Sequence, residues 1–558
     1  MEHCLLDTEP VRLQVIARFW GEEPPGGRRR EAAATLAAAI ARPESVAAAY
    51  DTLPADQRRA LDALLIAGGQ MPQRVFARRW GEIRPMGPGR MERERPWEQP
   101  VSPAEGLWYR GFIFRAFAQG DEGAYPAIFV PPELRRHLPA APAPETIAAP
   151  PPADPPAHVR AAGDALLDDC CTLLIYLHNE RVRSRPSDRW PSVHERGLAW
   201  RLRSPDPDRL AFLRHLVRRL DWLRTDESGY LRLRPAPTTA WLQSSPAQQR
   251  ETLAAAWRDD PTWNDLFHVP TLQPEDTGAW RNDPLRARRA ILRHLAACET
   301  GVWHRVADFV AAVKEVDPDF QRPDGDYDSW YIRDRRSGKY LSGFADWDRV
   351  EGALIRYLVA APLFWLGLVE VGSAAPEGAP THFRLTEAGA AFLGLSAAPP
   401  EAAPPPLTLR PDFSLDVPSA RRYERFQLAR VADRLPGDRR EYRYRFTGGS
   451  LARARRQGIA VARILDFLAR ATGAPVPGPL RAALTGWESG GNVVRLERGL
   501  LLRVAEAEQL DAILDTPSAR RLRLERVGPQ AALVRERDAP ALIAALAQMG
   551  LLTEEAVP

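Results

Sequence analysis

The sequence predicts a multi-domain α+β chain, mostly helical at first and ending in a domain with a small antiparallel sheet. Three observations carry this expectation. At 558 residues the chain exceeds the size at which a single core stops growing. Two Pro/Ala-rich stretches, 138–158 (LPAAPAPETIAAPPPADPPAH) and 394–406 (GLSAAPPEAAPPP), divide it into parts at 1–138, 159–393 and 407–558. Apolar residues recur at helical spacing before the second stretch and alternate as in strands after it.

In the first part, residues 54–67 (PADQRRALDALLIA) read as an amphipathic helix and 72–80 as a second. Residues 103–111 read as a third, with Ser102 as cap and Pro103 in its first turn. Strand-like 112–118 and 127–130 follow. Three helices and then a hairpin is the order of a winged helix, which makes 103–111 the expected recognition helix. The middle part repeats the logic: helices near 166–178 and 207–223 lead into 230–234, and helices at 284–298, 302–313 and 347–363 lead into strands 366–371 and 383–386. The run Phe383-Arg-Leu-Thr-Glu-Ala-Gly389 reads as a strand turning into a capped helix, a common close to such a module. In the last part, 407–417 and 442–446 alternate, Ser450 is the expected cap of a helix ended by Gly458, and 459–471 forms the next helix. Strands at 493–496, 500–504, 521–526 and 531–535 and helices at 506–514 and 539–549 complete an antiparallel α+β layer.

Composition excludes several classes. No run approaches the roughly 20 apolar residues that span a bilayer, and the start is acidic, so the expectation is a cytoplasmic chain without membrane partners. Cys4, Cys170, Cys171 and Cys298 spell neither a disulfide framework nor a thiolate zinc site. Of 76 basic residues only Lys314 and Lys339 are lysine, the signature of a GC-rich, bacterial genome, so arginine abundance alone says little about function. Charge is nonetheless uneven, near neutral over 1–138, −4 over 139–403 and +7 over 404–558. Within the last part, 419–463 holds 13 arginines and 4 acids, a local +9.

The run Tyr444-Arg-Phe-Thr-Gly-Gly-Ser-Leu-Ala-Arg-Ala-Arg-Arg-Gln-Gly458, then Ile464-Leu-Asp-Phe-Leu468, Pro475-Val-Pro477 and Trp487, carries a family likeness. It resembles the domain found at the N-terminus of bacterial and archaeal XPB-type helicases and in motor-less bacterial proteins. The likeness covers roughly 404–558. It implies a helicase-associated role that engages DNA or a protein partner such as a separate helicase, and implies nothing for 1–403.

The catalytic motifs tested are missing. A P-loop needs a lysine on the phosphates and a Ser/Thr hydroxyl on magnesium. Gly338-Lys339 is followed by Tyr340, and Arg333 stands where the loop needs its first glycine. Ala312 and Ser337 occupy the places where one class of nuclease sets an acid before its lysine. Neither H-E-x-x-H nor G-x-S-x-G occurs, so no enzyme, motor or cofactor is expected. His294, Cys298 and His304 could offer metal ligands but read better as an amphipathic helix without a fourth ligand. Asp324-Gly-Asp-Tyr-Asp328 starts like a calcium loop and fails at Ser329 and Arg335, so a solvated turn is expected.

Two surfaces are candidates for DNA. One is the loop 78–95 (RRWGEIRPMGPGRMERER), where Arg84, Arg90 and Arg93 could grip phosphate, with a salt-bridged structural loop as the alternative. The other is 419–463: Arg453, Arg455 and Arg456 on the capped helix, with Arg439, Arg440, Arg443 and Arg445 on the flanking loop and strand. Tyr423, Phe426, Tyr442 and Tyr444 interleave these arginines as base stacking requires, and equally as a core requires. The leading expectation is a non-enzymatic DNA-binding or helicase-associated protein. The alternative is a protein–protein scaffold, using a surface such as Leu363-Phe-Trp-Leu-Gly-Leu368, or a winged-helix transcriptional regulator.

Overall fold

The computed structural model describes all residues except 24–27, 121–122, 140–146, 162, 184–189, 279, 323–324, 399, 401, 439, 491–498, 523 and 554–558. About half of the chain is helical, with several small antiparallel sheets, so this is a multi-domain α+β protein. Two compact units are present, Met1–Phe446 and Thr447–Pro558.

The first unit contains two cores. In the N-terminal one, helices Pro10–Phe19, Arg29–Ile40 and Ala55–Ile66 bury Ile16, Leu36, Ile40, Leu61 and Leu64 against Phe112 and Ile128. Strand Gly123–Phe129 sits between Gln70–Pro72 and Phe114–Gly120, antiparallel to both. Helices Ala55–Ile66, Gln73–Trp80 and Pro103–Tyr109 precede the hairpin in the expected order. Ser102 caps the third, accepting from the Glu105 backbone N–H at 3.1 Å. That helix, however, is buried at Ala104, Glu105, Gly106, Leu107 and Tyr109. It is a core element, with no face left to read bases. Residues 78–95 are not one loop either, because Gln73–Trp80 runs into them and Pro88–Glu94 is helical.

The second core of this unit gathers helices Ala165–Asn179, Pro207–Arg219, Pro246–Arg258, Pro284–Leu295, Val306–Val316 and Trp347–Leu358 around a four-stranded sheet. The sheet order is His158–Arg160, Val369–Ser373, His382–Leu385, Trp303–Arg305, antiparallel throughout. The first strand and buried Ile147 come from the Pro/Ala-rich stretch or its end, so its described residues from 147 onward pack instead of tethering. Helix Trp347–Leu358 passes into a π-helical turn, Val359–Leu363, around Pro362, whose ring cannot donate to the α ladder. Leu363, Trp365, Leu366 and Leu368 that follow are buried, which removes 363–368 as a docking surface. Gly325 has φ +59°, and a Cβ there would sit 2.5 Å from Val75 Cγ2, so this turn needs glycine for conformation and space.

Residues 407–446 also belong to the first unit. Strands Thr408–Leu409, Leu415–Val417, Tyr442–Arg445 and Asp433–Arg434 form one sheet in that order. Helix Arg422–Val431 lies on Ala165–Asn179 and sends Phe426 into the second core.

In the second unit, helices Gly448–Arg456, Val461–Thr472 and Gly478–Glu488 precede a three-stranded sheet, Leu500–Arg503, Ala531–Val534, Glu525–Gly528. Ile513, Val534, Leu542 and Leu546 form its core. The first helix is capped by Thr447, not Ser450. Thr447 Oγ1 accepts from the Ser450 N–H at 3.0 Å while Ser450 Oγ accepts from the Thr447 N–H at 3.0 Å, a reciprocal capping box. Residues 517–522 form a helix, so the strand expected from 521 begins at Glu525. The expected strand 493–496 lies outside the described residues.

Candidate nucleic-acid interface

The expected arginines fall into three groups. Arg84 is structural: its guanidinium clasps the buried Glu105 carboxylate through Nε and Nη2, both at 2.8 Å, and the Arg84 and Val101 backbone N–H groups donate to the same carboxylate. Glu105 is fully buried, so this pair ties the segment after Trp80 to helix Pro103–Tyr109. Arg90 pairs with Glu94 one helical turn on, at 2.7 Å, in water. Arg93 is exposed and has no ion pair to a described residue.

The local +9 of 419–463 is partly offset by acids outside that window. Arg422 is fully buried. Its Nε donates to Asp168 Oδ1 at 3.0 Å, its Nη2 to Asp164 Oδ2 at 2.9 Å and its Nη1 to Gln249 Oε1 at 3.0 Å. Arg425 is buried beside it, donating to Thr172 Oγ1 at 3.0 Å with its guanidinium 3.3 Å over the Tyr442 ring. Arg203 meets the other oxygen of Asp168, and Arg209 meets Asp169. On the strand, Arg443 donates to Asp416 at 2.7 Å and Arg445 pairs with Asp412. Ser414 first, then Arg445, holds the Asp412 carboxyl down at about 2. Phe426, Tyr442 and Tyr444 are buried and offer no stacking platform; burial, before any charge, pushes the Tyr442 hydroxyl up to about 12.

What remains exposed without an ion pair to a described residue is a smaller set: Arg440 on the loop, and Arg455, Arg456 and Arg463 on two successive helices of the second unit. Arg453 is half-buried on the same helix as Arg455. Arg439 lies outside the described residues. Of the other expected sites, His294 is buried with Nε2 3.0 Å from Asp317, Cys298 is buried, and His304 Nδ1 faces the Pro151 carbonyl at 3.3 Å, so the three serve separate packing contacts. In the acidic turn, Asp326 accepts the Asp328 and Ser329 N–H groups and faces Arg74 at 3.5 Å. Among the described residues, no helix is long and apolar enough to cross a membrane.

Residues 407–528 match the family model described as the helicase conserved C-terminal domain. The match links the chain to helicase-associated proteins. It crosses the boundary between the units, with 407–446 in the first and 447–528 in the second. No curated protein matches the chain.

Proposed function

We propose that this chain is a non-enzymatic, helicase-associated accessory protein that holds DNA by its phosphates through the exposed arginines of the second unit. The helicase-domain match over 407–528 carries this reading. Arg455, Arg456 and Arg463, uncompensated by described acids, supply cations for phosphate. In this reading the last part of the chain is the counterpart of the XPB-type N-terminal domain, and the helix–hairpin order of the first part is a winged-helix module used for packing. The absence of a motor rests on lysine placement. Lys314 pairs with Asp348 at 2.6 Å, and Lys339 sits in a turn followed by Tyr340.

The test is fluorescence anisotropy of the whole protein against duplex, single-stranded and forked DNA across salt concentrations. We expect affinity to fall steeply with salt. Changing Arg455, Arg456 and Arg463 together to Ala should lower the log–log salt slope by about 2–3 for duplex. Changing Arg443 and Arg445, which are already paired, should leave it nearly unchanged. Absence of binding to every DNA form at low salt would move the weight to a protein scaffold that contacts a separate helicase.

A further inference from the structure

The N-terminal core contains a cavity, lined by a buried arginine, that none of the foregoing uses. It measures about 870 Å³ and lies between the first helices, the 83–91 segment and the start of the hairpin. Arg12 lines it. This side chain is buried, with 4% of its surface exposed, yet it has no carboxylate partner among the described residues. Its Nε and Nη2 donate to the Trp108 carbonyl at 3.0 and 2.8 Å, and Nη2 also reaches the Ile113 carbonyl at 3.2 Å. Nη1 has no protein acceptor among the described residues. A buried charge without a counter-charge is costly, and uncommon for that reason.

The neighbours deepen the deficit. Both guanidinium carbons, of Arg12 and of Arg115, lie within 5.0 Å of the Trp108 ring centre, at 3.4 and 5.0 Å. Arg115 is exposed at the rim and, among the described residues, donates only to the Ile83 carbonyl, at 3.3 Å. Tyr109 lines the same cavity, is 2% exposed, and its hydroxyl has no hydrogen-bond partner among the described residues. The charged and titratable groups acting on Arg12 are Tyr109, Arg115 and Cys4, and no carboxylate is among them. Asp7 and Glu9 also line the cavity, neither ion-paired to Arg12 or Arg115, and Arg84 is spent on Glu105. Burial first, then Arg115, depresses the Arg12 guanidinium to about 9.

We infer that this cavity is a binding site for a phosphate monoester, its oxygens taken by Arg12 Nη1, Arg115 and the Tyr109 hydroxyl and its apolar or aromatic body by Phe114, Phe129 and Met91. Two guanidinium groups and a phenol match a dianion with three acceptor oxygens better than they match a carboxylate. The volume suits a ligand of nucleotide size. Such an ester has two sources: a free small molecule, or the phosphorylated end of a DNA strand.

Calorimetric titration of the whole protein tests this with phenyl phosphate, dAMP, deoxyadenosine, benzoate and short single strands with and without a 5′-phosphate. Both phosphate esters should bind, deoxyadenosine should not, and benzoate should bind at least tenfold more weakly than phenyl phosphate. Arg115→Gln, at the rim and away from the core carbonyls, should weaken phenyl phosphate at least tenfold with an unchanged melting temperature. Arg12→Lys tests the buried cation and should weaken it further. A strand that binds here only when 5′-phosphorylated identifies the DNA end as the source; dAMP binding with no difference between the strands identifies a free ester. No heat from either ester, equal binding of deoxyadenosine or benzoate, or full binding by Arg115→Gln overturns the assignment. The site is independent of Arg455, Arg456 and Arg463, so the two tests fail separately.

Discussion

At the scale of single residues, the chain separates arginines that hold structure from arginines that face water, and residue type does not tell them apart. Arg288 illustrates the first kind: wholly buried, it donates to Asp265 and to the carbonyls of Trp257, Asp260 and Trp263, closing a polar knot inside the second core. Beside it His268 stacks on Trp263, ring centres 3.8 Å apart and planes 6° from parallel. Burial, then His215 and Arg288, lowers the His268 imidazole to about 4. An unfolded histidine titrates near 6.5, so between about 6.5 and 4 the unfolded chain binds the extra proton. The stability tied to neutral His268 is therefore complete above about 6.5 and lost as pH falls toward 4, by on the order of 3 kcal/mol. We expect His268→Phe, which keeps the stacked ring and removes the proton, to flatten urea-unfolding stability across that window. An unchanged pH slope in the variant would refute the assignment.

At the scale of elements, most helices were legible because their apolar spacing and their Pro-led first turns are local signals. The 207–223, 284–298 and 539–549 readings correspond to Pro207–Arg219, Pro284–Leu295 and Ala539–Gln548. The misreadings involve partners distant in sequence. The alternation at 407–417 was visible, but the register that sets Asp416 opposite Arg443 was not, and that register neutralises an arginine expected to be free. Likewise the half-buried Asp164 and the buried Asp168 sit about 250 residues before their arginines, beyond any window in which charge was counted. The cap of Gly448–Arg456 was misplaced by three residues because Ser450 and Thr447 are both good caps, and only the reciprocal bonds decide between them. Arg455 and Arg456 ride on this helix. We expect Thr447→Ala to cost about 1 kcal/mol in the stability of the second unit. Ser450→Ala should cost less, since it leaves the Thr447 side-chain bond in place. Chemical denaturation of the two variants side by side measures the difference, and a larger loss from Ser450→Ala would return the cap to Ser450.

At the scale of the whole molecule, the compact units and the helicase-domain match do not share a border, and the buried arginines explain why. The match begins at 407, after the Pro/Ala-rich 394–406, where composition also suggests a cut. Physically, helix Arg422–Val431 is part of the first unit. Phe426 packs in its core, Asn179 Nδ2 donates to the Ala429 carbonyl at 3.0 Å, and Arg422 and Arg425 insert between Asp164, Asp168 and Thr172. Removing one side of a buried, hydrogen-bonded ion pair strands the other charge in a dry site, a penalty of about 3–5 kcal/mol. Two chains cut on either side of this segment should therefore differ sharply. Residues 1–446 should unfold cooperatively at a temperature matching the first unit of the intact protein. Residues 1–406 should be destabilised by at least about 3 kcal/mol, because fully buried Asp168 loses Arg422 and Arg425 and the Phe426 site empties. A fragment starting at 407 should bind polyanions more tightly than the intact chain, since Arg422 and Arg425 are then unpaired, and its affinity would overstate the protein's own. Calorimetry of the two truncations decides the point: if 1–406 melts as 1–446 does, the segment is an appendage, and the border belongs at 407 after all.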